Sequence, residues 1–221
     1  MNVLVIGASR GIGLELVRQY LDAGERVIAT ARDDEALEHL RVLGAVPLKL
    51  DVANPASISG LAWLLDGEKI DIAIYVAGVM SRGDALVPPS QPDFDLVMHT
   101  NVLGAMQTIP QVAPLVEAAQ GRLAFISSDM GRMTDVPSSY GWTYRVSKAA
   151  LNMAVASARH DYPQAILVAL SPGWVQTDMG GANAPLTVHD SVSAMRATLE
   201  RLTAADSGRF FGIEGRPIDG W

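Results

Sequence analysis

Val3-Leu4-Val5-Ile6 runs directly into Gly7-Ala8-Ser9-Arg10-Gly11-Ile12-Gly13, after which apolar side chains recur at helical spacing through Leu14, Leu16, Val17, Tyr20 and Leu21. A short unbroken run of β-branched residues and leucine suits a central strand buried on both faces of a parallel sheet. Strand, glycine turn and helix therefore stand in series. Glycines in such a turn let the backbone approach a pyrophosphate, while the free N–H groups and positive dipole end of the helix attract its charge. The glycine spacing differs from G-x-G-x-x-G, so the position between strand and helix carries the signal.

Arg26 to Ala31 reads as a second strand and closes a strand-helix-strand unit of mononucleotide-binding length. A carboxylate at its end would bind the adenosine ribose hydroxyls of NAD(H), but the chain offers Thr30, Ala31 and Arg32 there. Arg32 and Arg10 are placed to clamp a 2′-phosphate through planar, charge-assisted hydrogen bonds, which favours NADP(H), with NAD(H) as the alternative. Asp33 and Asp34 are expected to cap the next helix.

Gly7, Ser9 and Gly11 also spell G-x-S-x-G, the nucleophile elbow of α/β-hydrolases. That enzyme class places a strand and its oxyanion loop ahead of the nucleophile, whereas a single strand precedes Ser9. Asp161 and His189 stand in no triad-like context, so this reading is disfavoured.

Further along, strands are expected at Val46 to Leu50, Ile70 to Val76, Leu123 to Ser127, Ile166 to Leu170 and Phe210-Phe211. Asn54-Pro55 reads as a cap and first helical residue of a helix reaching Trp63 to Leu65. A helical pattern covers residues 92–119, where Pro110 and Pro114 should kink or divide it. Thr187 should cap a last helix ending near Leu202. Strands alternate with helices without linker or repeat, which predicts one α/β domain over residues 1–221, a doubly wound parallel sheet of about seven strands. The chain has 221 residues, 49% of them apolar, enough for a sizeable core.

Several functions are excluded or made improbable by composition. With no cysteine, thiolate catalysis and disulfides are ruled out, and His39, His99, His160 and His189 lack ligand spacing, so no metal site is expected. A net charge of −7 argues against nucleic acid and anionic membrane as partners. No signal-peptide pattern or membrane-length apolar run is present, and a cytoplasmic protein is expected.

Tyr144 and Lys148 lie four residues apart in Tyr144-Arg145-Val146-Ser147-Lys148. On a helix this spacing stacks phenol and ammonium on one face, and the positive charge is expected to lower the phenol pKa from about 10 towards the working pH of a general acid/base. Tyr140 has no lysine at that spacing.

Taken in order, GASRGIG, Asp51-Val52, Ala77-Gly78, Asn101, Ser128, Tyr144-x-x-x-Lys148 and Pro172-Gly173 resemble the short-chain dehydrogenase/reductase family from end to end. YRVSKAALN, PGWVQTDMGG with APLT, and the tail to Trp221 are similar to its C-factor and sniffer-like carbonyl reductase subgroup. The resemblance implies hydride transfer between a nicotinamide and a carbonyl or alcohol, with Tyr144 as proton donor or acceptor. Lys148 would hold the nicotinamide ribose, Ser128 the substrate oxygen, and Asn101 a water of the proton relay. Ser128 is preferred to Ser127 as the second of the family's paired serines.

The resemblance also implies a cofactor site. Gly7, Ser9, Arg10, Gly11, Ile12 and Gly13 would form its turn, and Arg32, Asp51 and Val52 its adenosine end. Ala77, Gly78 and Val79, Tyr144 and Lys148, and Pro172, Gly173, Val175 and Thr177 would complete it. Ile6 replaces the family's usual threonine, and Tyr75-Val76 its paired asparagines, substitutions expected to remove polar support from the loops. The Ser128 to Tyr144 interval is long, and Met130, Met133, Val136 and Trp142 within it would line the pocket wall or pack the core. A homodimer or homotetramer through residues 92–119 and 140–161 is implied, as is a small carbonyl or alcohol substrate. A dinucleotide-binding signalling protein without turnover is the alternative from another class.

Overall fold

A computed structural model describes all residues, 1–221. Seven strands form one sheet: β1 Asn2–Ile6, β2 Arg26–Ala31, β3 Val46–Lys49, β4 Ile72–Tyr75, β5 Arg122–Ile126, β6 Ile166–Leu170 and β7 Phe210–Phe211. Their order is β3-β2-β1-β4-β5-β6-β7 and every pairing is parallel. The order reverses at β1, which pairs with β2 on one side and β4 on the other, opening a crevice at the carboxyl ends of these strands.

The helices are α1 Gly11–Asp22, α2 Asp34–Leu43, α3 Pro55–Ser59, α4 Leu61–Leu64, α5 Gln91–Met98, α6 Gly104–Ala118, α7 Trp142–Ala158 and α8 Val188–Arg201. Side chains alternate across each strand and feed two cores. Val3 and Val5 of β1 join α1, α2 and α8 on one face, while Leu4 and Ile6 join α3, α4, α6 and α7 on the other. Both sheet faces are thereby covered, which explains strands that are apolar throughout rather than alternating. No helix is long and apolar enough to cross a membrane.

Capping follows the side chains expected. Asp33 accepts from the Ala36 N–H at 2.8 Å, Asn54 from Ala56 at 3.0 Å, and Thr187 from Asp190 at 3.1 Å. Asp34 lies in the first turn of α2 and pairs with Lys49 instead of capping. The helix expected from Asn54 to Leu65 is two short pieces, parted at Gly60.

Pro110 and Pro114 do not divide α6, which is continuous through both. Each proline and the residue four before it, Met106 and Pro110, is exposed, so water can take the carbonyls that a proline leaves unpaired. The irregularity falls earlier, in a π-helical turn at His99–Leu103 between α5 and α6. There the Tyr75 hydroxyl donates to the Thr100 carbonyl at 2.8 Å. Gly104 follows because a Cβ would stand 2.4 Å from the Val52 oxygen and 2.7 Å from the Tyr75 hydroxyl.

Candidate active site

The glycine turn is held by contacts that only glycine permits. Gly7 has φ +92°, and a Cβ on Gly13 would lie 2.1 Å from the Gly7 oxygen, so the first turn of α1 sits directly on the end of β1. Arg10 precedes α1 in extended conformation without a side-chain cap, and no acidic residue stands in the first turn. Its free N–H groups and dipole are therefore available to an anion. Thr30 supplies the support that Ile6 cannot: its hydroxyl accepts from the Gly7 N–H at 3.1 Å and its carbonyl from Ala8 at 2.8 Å.

This turn forms one wall of a cavity of about 440 Å³ at the reversal of strand order. Among the residues named from sequence, Gly7, Ser9, Arg10, Gly11, Ile12, Arg32, Asp51, Val52, Ala77, Gly78, Val79, Tyr144, Lys148, Pro172 and Thr177 line it. Gly13, Asn101, Ser128, Gly173 and Val175 are not part of this lining, and of them Ser128 neighbours the lining residue Tyr144. Thr30, Thr100, Ser127, Gln176, Asp178 and Met179 also line it and were not among the site residues expected. Thr30 and Ser127, at the carboxyl ends of β2 and β5, carried a positional signal; Thr100 in the π-helical turn and the loop residues Gln176, Asp178 and Met179 carried none.

Near the end of β2 the cations differ. Arg32 makes no ion pair, whereas Arg10 bonds Asp178 at 2.6 Å, with both side chains three-quarters exposed. Asp33 is turned to cap α2, so no carboxylate competes at the end of β2.

At the other end, α7 buries Tyr144, Ser147 and Lys148 on its inner face. Lys148 donates to the Ile126 carbonyl at 2.7 Å, and its ammonium lies 5.5 Å from the centre of the Tyr144 ring. Burial lowers Lys148 from 10.5 to about 8. Tyr144 is pushed up to about 12, burial being the larger influence and the Ser128 hydroxyl acting in the opposite direction. This corrects the expectation that Lys148 lowers the phenol pKa. Both groups are removed from water, which penalises charge on either, and the ammonium is directed to a carbonyl.

Ser127 and Ser128 diverge. The Ser127 hydroxyl, fully buried, bonds Asn152 at 2.5 Å, while Ser128 accepts from the Met130 N–H at 3.1 Å and neighbours Tyr144. Asn101 is fully buried in the π-turn. Its amide donates to the Val79 carbonyl at 2.8 Å and the Ser147 hydroxyl at 2.9 Å, and its oxygen accepts from the Val79 N–H at 2.8 Å. Its amide protons are thus committed to Val79 and Ser147. Tyr75, expected to remove polar support, provides it through Thr100.

Met133, Val136 and Trp142 are exposed and Met130 is half-buried, and none of the four lines the main cavity or joins a core. Met130, Met133 and Val136 lie in the long segment between Ser128 and α7, and Trp142 is the first residue of α7. Met130 and Val136 instead border a smaller cavity of about 240 Å³ with Arg132 and Arg145.

The family model described as short chain dehydrogenase matches residues 1–185. The chain belongs to that family. C-signal of Myxococcus xanthus is 38% identical over 152 residues, covering 67% of this chain and 92% of its own. The NADPH-bound carbonyl reductase from chicken fatty liver superposes with a TM-score of 0.89 at 31% identity, covering 100% of this chain and 98% of its own. Carbonyl reductase Sniffer of D. melanogaster gives 0.90 at 28% identity, covering 100% and 99%. Membership in the short-chain dehydrogenases agrees with the seven-stranded parallel sheet and with a cavity at its switch point. It makes the chain an oxidoreductase of that family.

Proposed function

We propose that this short-chain dehydrogenase reduces a small carbonyl compound with NADP(H), or runs the reverse oxidation, with Tyr144 as the general acid/base. The observation that carries the reading is the meeting of a buried Tyr144–Lys148 pair with a glycine cradle along one cavity. The cradle fits a pyrophosphate, since Gly13 lets α1 start directly on the end of β1 and the first turn of α1 offers unpaired N–H groups to the cavity. Arg32, with Arg10, fits a 2′-phosphate, and the NADPH-bound chicken relative supports that preference. When bound, the reduced nicotinamide supplies the hydride.

The chain's own groups manage the proton and the substrate. A Tyr144 held near 12 is protonated at neutral pH and is ready to give its proton to the forming alkoxide. Lys148, largely ammonium below about 8, offsets negative charge left on that phenol. Ser128 donates to the substrate oxygen and keeps it facing Tyr144. Such a proton donor is worth about 10²- to 10⁴-fold in rate.

Oxidation of NADPH by a panel of small aldehydes and ketones, with wild type against Tyr144→Phe, tests the reading. The wild type should turn over and the variant should not; equal rates reject it. C-signal similarity favours one second reading, a dinucleotide-binding signalling protein, which tight NADPH binding without turnover on any panel member would support. The proposal includes a cytoplasmic homodimer or homotetramer. Its contacts would run through residues 92–119 and 140–161, where Phe94, Leu103, Met106, Val146 and Met153 are exposed.

A further inference from the structure

We infer that Ser127 and Asn152 form a positioning pair that holds the end of β5 in register with α7, and so keeps Ser128 and Lys148 beside Tyr144. The inference rests on the catalytic reading above. Tyr144, Lys148 and Asn152 succeed one another at four-residue intervals and share one face of α7. Three successive residues at the end of β5 meet that face. The Ser128 hydroxyl neighbours Tyr144, the Ile126 carbonyl accepts from Lys148 at 2.7 Å, and the Ser127 hydroxyl donates to the Asn152 oxygen at 2.5 Å.

Packing alone gives little reason for this last pair. Ser127 and Asn152 are each 1% exposed, and the Asn152 amide nitrogen is buried with no protein partner. An unsatisfied buried donor is unfavourable, and replacing both members of such a pair by apolar groups of similar shape is nearly neutral or stabilising. What the pair supplies is direction. Ser127 borders the cavity, yet its hydroxyl is turned into the core, so the hydroxyl left beside Tyr144 is that of Ser128. The same bond anchors the residue next to Ile126, whose carbonyl fixes the ammonium.

The test is the double variant Ser127→Ala/Asn152→Leu, assayed by NADPH oxidation with the fastest member of a panel of small aldehydes and ketones. Thermal unfolding should match the wild type, because no orphaned partner remains. The kcat should fall on the order of 10- to 100-fold, the usual consequence of misplacing catalytic groups by about 1 Å. The alkaline fall in reductive kcat should also move to lower pH, because a loosened Ile126 carbonyl no longer favours the Lys148 ammonium. Ser127→Ala alone, which removes one oxygen, should move the fall in the same direction and serves if the double variant does not fold. A variant that keeps wild-type kcat and pH profile overturns the inference, as does one that loses kcat only in step with thermal stability at an unchanged profile. Tyr144→Phe is the control: full activity in it rejects the catalytic reading itself, whereas an inactive Tyr144→Phe beside a wild-type double variant rejects only the positioning role.

Discussion

Lys148 donates to the Ile126 carbonyl at 2.7 Å, and this bond joins the buried face of α7 that carries Tyr144 to the end of β5. The carbonyl helps a fully enclosed ammonium to remain, although burial still lowers it to about 8. An unfolded lysine keeps its proton to about 10.5. Between these values the unfolded chain binds more protons, so stability rises with pH across that window. Chemical denaturation at pH 8 and pH 10 should show Lys148 contributing a rise of about 2 kcal/mol, absent in Lys148→Met. Above about pH 10 the raised Tyr144 acts in the other direction, because the folded chain retains a proton that the unfolded chain has lost.

Tyr144→Phe keeps the buried ring and removes the proton. Its reductive kcat should fall by about 10²- to 10⁴-fold while the unfolding temperature stays close to wild type. Steady-state kinetics beside a thermal melt checks both, and a stable variant with wild-type kcat removes Tyr144 from the chemistry.

Arg32 is unpaired, whereas Arg10 is held by Asp178. Arg32→Ala should weaken NADPH by roughly 10- to 100-fold, the worth of a charge-assisted hydrogen bond to phosphate, and leave NADH nearly unchanged. Asp178→Asn, which releases Arg10, should tighten NADPH a few-fold. Fluorescence titration with each cofactor measures both effects, and equal losses for the two cofactors would show that Arg32 does not read the phosphate.

Tyr75→Phe leaves the Thr100 carbonyl of the π-turn without its donor. Stability should fall by about 1–3 kcal/mol, the penalty for an unsatisfied buried acceptor, which a thermal melt would register as several degrees. An unchanged melt would mean that the turn does not depend on this bond.

Gly13→Ala would place a methyl 2.1 Å from the Gly7 oxygen, and backbone cannot yield as a flexible side chain can. Forced displacement of the turn should lower stability by about 1–3 kcal/mol and weaken both NADPH and NADH. Denaturation and cofactor titration on the same variant test the pair of effects.

Much of this molecule follows from local sequence. Apolar runs bounded by glycine turns disclosed all seven strands and their parallel class, because strand burial on both faces and short-range capping are written in neighbouring residues. The spacing of Tyr144 and Lys148 likewise placed them on one helical face. Other features required the assembled chain. That Thr30 and Tyr75 replace polar contacts missing at Ile6 and the loop after β4, that Ser127 turns to Asn152, and that Asp178 meets Arg10 are encounters between distant segments. The sign of the Tyr144 shift belongs with them: an i+4 ammonium argues for a lower pKa, but desolvation depends on everything packed around the phenol, and only the tertiary structure decides that balance.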